Sequence, residues 1–175
     1  VLTWTYDALG RVTQRTDGNG NATSYTYDAL GNVTQVTNPD GTTVQYLRDY
    51  AANTVTVTDE NGAQLKYTYT PLGLESQTID VASGEVLTSR SYDSLSRLSQ
   101  VTDHAYGSVT TYTYDALDRV LSETVRSGNR VLAQTCYEYD DAAGNNTQKV
   151  TKTIVGEDDA PSIVTTQYTN AAGFV

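Results

Sequence analysis

The stretch Tyr6-Asp7-Ala8-Leu9-Gly10-Arg11-Val12 returns as Tyr27-Asp28-Ala29-Leu30-Gly31-Asn32-Val33 and as Tyr114-Asp115-Ala116-Leu117-Asp118-Arg119-Val120. Looser copies are Tyr92-Asp93-Ser94-Leu95-Ser96-Arg97-Leu98, Tyr69-Thr70-Pro71-Leu72-Gly73-Leu74 and Tyr139-Asp140-Asp141-Ala142-Ala143-Gly144. Degenerate ones stand at Arg48-Asp49-Tyr50-Ala51-Ala52-Asn53 and Tyr168-Thr169-Asn170-Ala171-Ala172-Gly173. With Tyr6, Tyr27, Tyr50, Tyr69, Tyr92, Tyr114, Tyr139 and Tyr168 as starts, the steps are 21, 23, 19, 23, 22, 25 and 29 residues. A period of about 23 residues marks a chain built by stacking one small supersecondary unit many times.

Before each motif, residues alternate between small polar and aromatic, as in Thr23-Ser24-Tyr25-Thr26-Tyr27 and at Trp4/Tyr6, Tyr67/Tyr69, Tyr112/Tyr114 and Tyr137/Tyr139. That is the two-residue period of a strand, and it points each aromatic pair to one side of a sheet. Asp-Ala-Leu-Gly then suits a type I turn followed by a left-handed residue: Asp accepts a backbone N–H two residues on, and Gly takes positive φ without a Cβ clash. Where Gly10, Gly31 and Gly73 give way to Asp118 or Ser96, the same conformation is expected, with some strain at Ser96. A second alternating run follows, as in Val33-Thr34-Gln35-Val36-Thr37. A looser turn closes the unit, signalled by Pro39-Asp40-Gly41, Asn61-Gly62 or Ser127-Gly128-Asn129.

The expected fold is therefore all-β: tandem antiparallel hairpins, about eight units and roughly sixteen short strands along residues 1–175 as a single array. One hairpin cannot bury its apolar face alone, so neighbouring units must continue one sheet, which twist should curl into a spiralling, curved wall. Without methionine, and starting and stopping inside repeats, the chain reads as a fragment or processed piece whose unpaired edges the missing chain or a partner would cover.

Composition removes whole classes of function. A formal charge of -10, with 11 basic residues scattered along the chain, argues against nucleic acid as a partner. No apolar run approaches the roughly 20 residues of a membrane helix, so membrane insertion by this segment is not expected. Fourteen tyrosines against one phenylalanine and one tryptophan suit a half-buried pleated surface.

Candidate reactive groups are few. Asp17-Gly18-Asn19-Gly20-Asn21 alternates oxygen ligands, and Asp28 falls where a calcium loop carries its last carboxylate; yet Ala22 stands where such a loop needs glycine, and Asp28 belongs to the next Tyr-Asp turn. Asp140-Asp141 and Glu157-Asp158-Asp159 are adjacent carboxylates in loops rather than an opposed pair. His104 has no ligand partner at metal spacing, and Cys136 sits in a strand as a structural thiol. The tripeptides at Asn21, Asn32 and Asn145 are glycosylation matches of a kind common in Thr-rich sequence. No catalytic residue, cofactor or metal is assigned. The expected site is structural, namely the signature residues Tyr6, Asp7, Gly10, Tyr27, Asp28, Gly31, Tyr69, Gly73, Tyr92, Asp93, Tyr114, Asp115, Tyr139 and Asp140.

These motifs resemble the YD or RHS repeat family, which includes shell components of bacterial insecticidal toxin complexes, polymorphic Rhs toxins, wall-associated proteins and the barrel of the teneurins. The resemblance covers nearly the whole chain. It implies a stretch of hollow β-shell wall, non-enzymatic, in a secreted or cell-surface bacterial protein exported by signals outside this segment. The implied partners are the rest of the same polypeptide and an encapsulated toxin or effector domain. The Asp-Pro-x-Gly segment that frees the cargo in relatives has only Thr70-Pro71-Leu72-Gly73 as its counterpart here, with Thr in place of the aspartate. The alternative is an extracellular or wall-associated adhesion module whose polar face binds glycan or protein.

Overall fold

The computed structural model describes residues 1–140, 147–155 and 163–170. They form two compact units, Val1–Leu87 and Thr88–Val175. The first contains β1 (Thr3–Tyr6), β2 (Val12–Thr16), β3 (Ala22–Tyr27), β4 (Val33–Thr37), β5 (Thr43–Asp49), β6 (Thr54–Thr58), β7 (Gln64–Tyr69) and β8 (Glu75–Asp80). To the second belong β9 (Val86–Tyr92), which begins two residues before the boundary, β10 (Leu98–Asp103), β11 (Ser108–Tyr114), β12 (Val120–Ser127), β13 (Arg130–Asp140), β14 (Thr147–Val155) and β15 (Ile163–Asn170). Within each unit every strand pairs antiparallel with its neighbours in sequence. The chain is all-β, with no helix among the described residues.

The turns follow the Asp-x-x-Gly pattern closely. Asp7 N–H donates to the Arg11 carbonyl at 2.9 Å, Gly10 N–H donates to the Asp7 carbonyl at 3.0 Å, and Asp7 Oδ1 accepts from the Leu9 and Arg11 amides, both at 2.9 Å. Gly10 has φ 79°. Three of the second turns prove equally tight, contrary to the looser connection expected, whereas the turn after β8 closes Asp80 on Glu85, one residue longer. Asp17, Asn38 and Asp59 close on Asn21, Thr42 and Ala63 with the same pair of backbone bonds, and Gly20, Gly41 and Gly62 are all left-handed. Both ends of these strands therefore use one turn geometry.

Ser96 and Asp118 adopt φ 64° and 63° in the glycine position. A Cβ in that region costs roughly 1–2 kcal/mol, so Ser96→Gly should stabilise the second unit by about 1 kcal/mol. Urea unfolding checks this: the midpoint rises with an unchanged slope if the turn geometry is as described.

Past the turn, hairpins β1–β2, β3–β4, β7–β8, β9–β10 and β11–β12 each carry a one-residue register shift beside the signature tyrosine. Such a bulge increases local twist. In all five of these hairpins the hydroxyl just before the tyrosine meets one just past the turn: Thr5–Thr13 at 3.0 Å, Thr26–Thr34 at 2.8 Å, Thr68–Ser76 at 2.8 Å, Ser91–Ser99 at 3.4 Å and Thr113–Ser122 at 2.7 Å. Hairpin β5–β6 keeps an unbroken register.

Only strands adjacent in sequence touch inside a unit, so each unit is a single layer. Among the described residues no apolar side chain is buried; only Thr78 and Thr124 are. The motif leucines Leu9, Leu30, Leu72, Leu95 and Leu117 stand at turn tips, each at least two-thirds exposed. Cohesion must come from backbone ladders, cross-strand pairs and contacts between neighbouring hairpins.

Candidate functional site: the junction between hairpins

Where an arginine stands four residues after the aspartate that caps the turn, it takes the second carboxylate oxygen. Arg11 Nε lies 2.6 Å from Asp7 Oδ2, with Arg97–Asp93 and Arg119–Asp115 both at 2.7 Å. The guanidinium then reaches into the next repeat. Arg11 lies 4.6 Å from the ring centroid of Tyr27, Arg97 4.6 Å from that of Tyr114, and Arg119 4.2 Å from that of Tyr139. Arg11 Nη1 also donates to the Asp28 carbonyl at 3.2 Å, as Arg97 Nη1 does to the Asp115 carbonyl at 3.1 Å.

The tyrosine answers in the opposite direction. Tyr27 Oη donates to the Val12 carbonyl at 2.6 Å, Tyr114 Oη to Leu98 at 2.7 Å and Tyr139 Oη to Val120 at 2.8 Å. Asp, Arg and the following Tyr thus form a polar clasp from one hairpin to the next, combining charge-assisted hydrogen bonds with a cation–π contact. In the second unit Arg97 Nη1 adds a pair to Asp118 Oδ1 at 2.8 Å, which gives the non-glycine turn residue a role of its own.

Titration behaviour follows from this geometry. At Asp7 and Asp93 the arginine amide, joined by the guanidinium, holds the carboxyl below its usual range against the effect of burial. At Asp115 burial is the largest influence and pushes upward, yet the Arg119 and Leu117 bonds outweigh it. Arg97 is held more firmly protonated by Asp93 and Asp118. Burial raises the phenols of Tyr114 and Tyr139.

The second and third hairpins exchange these roles. Asn32 stands in the arginine position and Arg48 in the tyrosine position, and Arg48 Nη1 donates to the Val33 carbonyl just as a tyrosine would. Tyr50 Oη donates to Asp28 Oδ2 at 2.7 Å while accepting from Asn32 Nδ2 at 2.8 Å. The Tyr50 hydroxyl is the main reason the Asp28 carboxyl is lowered to about 2. The repeat therefore starts at Arg48, not Tyr50: Asp49 Oδ1 caps the turn by accepting from Ala51 and Ala52. The steps from Tyr6 to Tyr27, Arg48 and Tyr69 are then each 21 residues.

Of the other candidates, Asp17 Oδ1 accepts from the Asn19 and Asn21 amides and Oδ2 from Asn21 Nδ2, at 2.8–2.9 Å, which makes it a turn cap. Among the described residues no three metal-ligating side chains converge. His104 Nε2 pairs with Ser89 Oγ at 3.0 Å, and Cys136 is half-buried in β13. The Asn21 and Asn32 amides are engaged in turn bonds. The carboxylates of Asp140, Asp141, Glu157, Asp158 and Asp159, and Asn145, lie outside the described residues and side chains.

Residues 2–43 and 92–130 match the family model for the RHS Repeat. No curated protein matches the chain. Among solved structures, it is similar to TcdB2-TccC3 without its hypervariable C-terminal region, at 18% identity and TM-score 0.66, over 97% of this chain and 9% of that one. TcdB2-TccC3-Cdc42 is similar at 18% identity and TM-score 0.65, over 97% and 10%. The Tc holotoxin pore of Photorhabdus luminescens, carrying a TccC3 mutation, is similar at 18% identity and TM-score 0.64, over 97% and 9%. The chain spans about a tenth of the length of these proteins, and at this identity the likeness is one of fold. The RHS Repeat thus matches in two segments of the chain, and along nearly its whole length the chain shares the fold of these structures.

Proposed function

We propose that this chain is a length of wall in the β-shell of a secreted bacterial toxin-complex protein, and that the shell encloses a toxin or effector domain. The observation that carries the reading is the interlocking of successive hairpins through Asp-Arg-Tyr clasps, in a chain whose fold follows TccC3-containing structures over 97% of its length. A wall of this kind needs lateral continuity rather than a reactive centre. The clasp residues are already engaged with one another, which leaves them no role as acid, base or nucleophile. Polar junctions also suit a single layer with water on both faces, where an apolar seam would invite aggregation.

The adhesion alternative rests on no feature of comparable specificity. Encapsulation is tested in the parent polypeptide by limited proteolysis. The domain that follows the repeats should resist cleavage, and should become sensitive when Arg97→Ala and Arg119→Ala together weaken the clasps. Digestion of that domain at one rate in both proteins would reject enclosure.

A further inference from the structure

The third hairpin keeps the groups that grip a clasp guanidinium while the arginine itself is replaced. Asn53 lies 42 residues after Arg11, two whole steps of the repeat, and its carbonyl accepts the Tyr69 amide at 2.9 Å. Among the described residues its side-chain amide makes no hydrogen bond. Asp49 uses only Oδ1 in its turn, so Oδ2, the oxygen that binds arginine in Asp7, Asp93 and Asp115, carries none either.

Tyr69 differs from its counterparts in the same sense. No cation lies over its ring among the described residues, and its hydroxyl makes no hydrogen bond, whereas Tyr27, Tyr114 and Tyr139 have both. The Thr70 carbonyl accepts from the Gly73 amide alone, while the equivalent Asp28 carbonyl accepts from Gly31 and from Arg11. Asp49, Asn53, Thr54 and Tyr69 line one open cavity of about 470 Å³. That volume lies within the roughly 300–1,000 Å³ range of small-ligand sites. Arg48 also borders it; its Nη1 is bonded to the Val33 carbonyl and its guanidinium lies 5.7 Å from the ring centroid of Tyr46 on its own strand, so it is not stacked on Tyr69, although its charge still reaches the Tyr69 phenol, which burial raises overall.

We propose that this cavity binds a guanidinium group supplied from outside the chain, either the arginine side chain of a partner protein or a small guanidinium compound. The three filled clasps serve as its template: a carboxylate oxygen on one side and a tyrosine face beneath, with a backbone carbonyl ahead of Arg11 and Arg97. Lysine is a poorer occupant because its ammonium lacks the planar fork that serves all three at once.

The test is an NMR titration of the isotopically labelled full chain. The probes are N-acetyl-arginine amide, N-acetyl-lysine amide and the hexapeptide Asp-Ala-Leu-Gly-Arg-Val. Both arginine probes should shift the Asn53, Tyr69 and Gly73 amides saturably, with the lysine probe weaker by roughly fivefold or more. A hexapeptide that binds about tenfold more tightly than the amide assigns the site to a protein-borne arginine; equal affinity assigns it to a small compound. Tyr69→Leu should abolish the response. Should that variant misfold, Arg11→Ala decides, because it opens the same kind of site beneath Tyr27 and should gain a second responsive set there. No saturable response, equal response to lysine, or an Arg11→Ala chain without new shifts would overturn the proposal.

Discussion

Asp115→Ala should lower the thermal midpoint of the second unit by roughly 5 °C or more. This carboxylate does three things at once. Its Oδ1 accepts from the Leu117 amide at 2.8 Å and the Arg119 amide at 3.0 Å, closing a turn in which Asp118 is already left-handed. Its Oδ2 holds Arg119 over the Tyr139 ring. Removing it opens the turn and frees the guanidinium together. Both side chains are largely covered, at 18% and 23% exposure, so this pair is less screened than an ordinary surface ion pair. Asp115→Asn keeps an acceptor for the turn but loses the charge, and should fall between the two. A melting curve followed by circular dichroism checks the order wild type, Asn, Ala; an unchanged midpoint in the alanine variant would place the stability elsewhere.

Acid should unfold the chain across a window set by the same carboxylates. Asp7, Asp17, Asp28, Asp40, Asp80, Asp93 and Asp115 all titrate below their ordinary value of 3.8 in the folded chain, Asp28 at about 2. A depressed carboxyl contributes stability that is fully present above its unfolded value and is lost as the pH falls through the folded one. Stability should therefore drop steeply between about pH 4 and pH 2. The net charge of -10 works the other way at milder pH, because partial neutralisation relieves self-repulsion. Urea midpoints measured from pH 7 downward should be flat or slightly rising to about pH 5 and then fall. At pH 4 to 2 Tyr50→Phe should flatten the fall, since the Tyr50 hydroxyl is what lowers Asp28 most. A fall that begins well above pH 5 would contradict the assignment.

The hairpin was legible in the sequence because its determinants are local. Alternation before Tyr6 and Tyr27, and the Asp-to-Gly spacing after them, specify strand and turn without knowledge of any neighbour. Ser96 and Asp118 were readable as left-handed from the glycine position they occupy. What escaped the sequence reading lies between repeats. Arg11 and Tyr27 are 16 residues apart and meet only once the strand register is set, so the tyrosines read simply as aromatic pairs on one side of a sheet, whereas Tyr27, Tyr114 and Tyr139 also carry guanidinium groups.

A signal was nevertheless present. Arg11, Arg97 and Arg119 recur at one motif position, and the copy with Asn32 there is followed by one with Arg48 in place of tyrosine. That paired exchange is what a contact between repeats leaves behind. The same omission placed the third repeat at Tyr50, because an arginine in the tyrosine position was not recognised as a start. Asp17 was weighed as a calcium ligand for a related reason: alternating oxygen side chains serve a turn cap as well as a metal, and only the bonds to Asn19 and Asn21 distinguish the two.

The central claim is that successive hairpins are joined by Asp-Arg-Tyr clasps in place of an apolar core. A double-mutant cycle at Arg119 and Tyr139 measures this directly, by urea unfolding of Arg119→Ala, Tyr139→Phe, Tyr139→Leu and the combined variants. The account predicts that Tyr139→Leu in the Arg119→Ala background costs clearly less than in the wild type, while Tyr139→Phe, which keeps the ring but loses the bond to the Val120 carbonyl, shows weaker coupling to Arg119. Strictly additive losses across the cycle would contradict it.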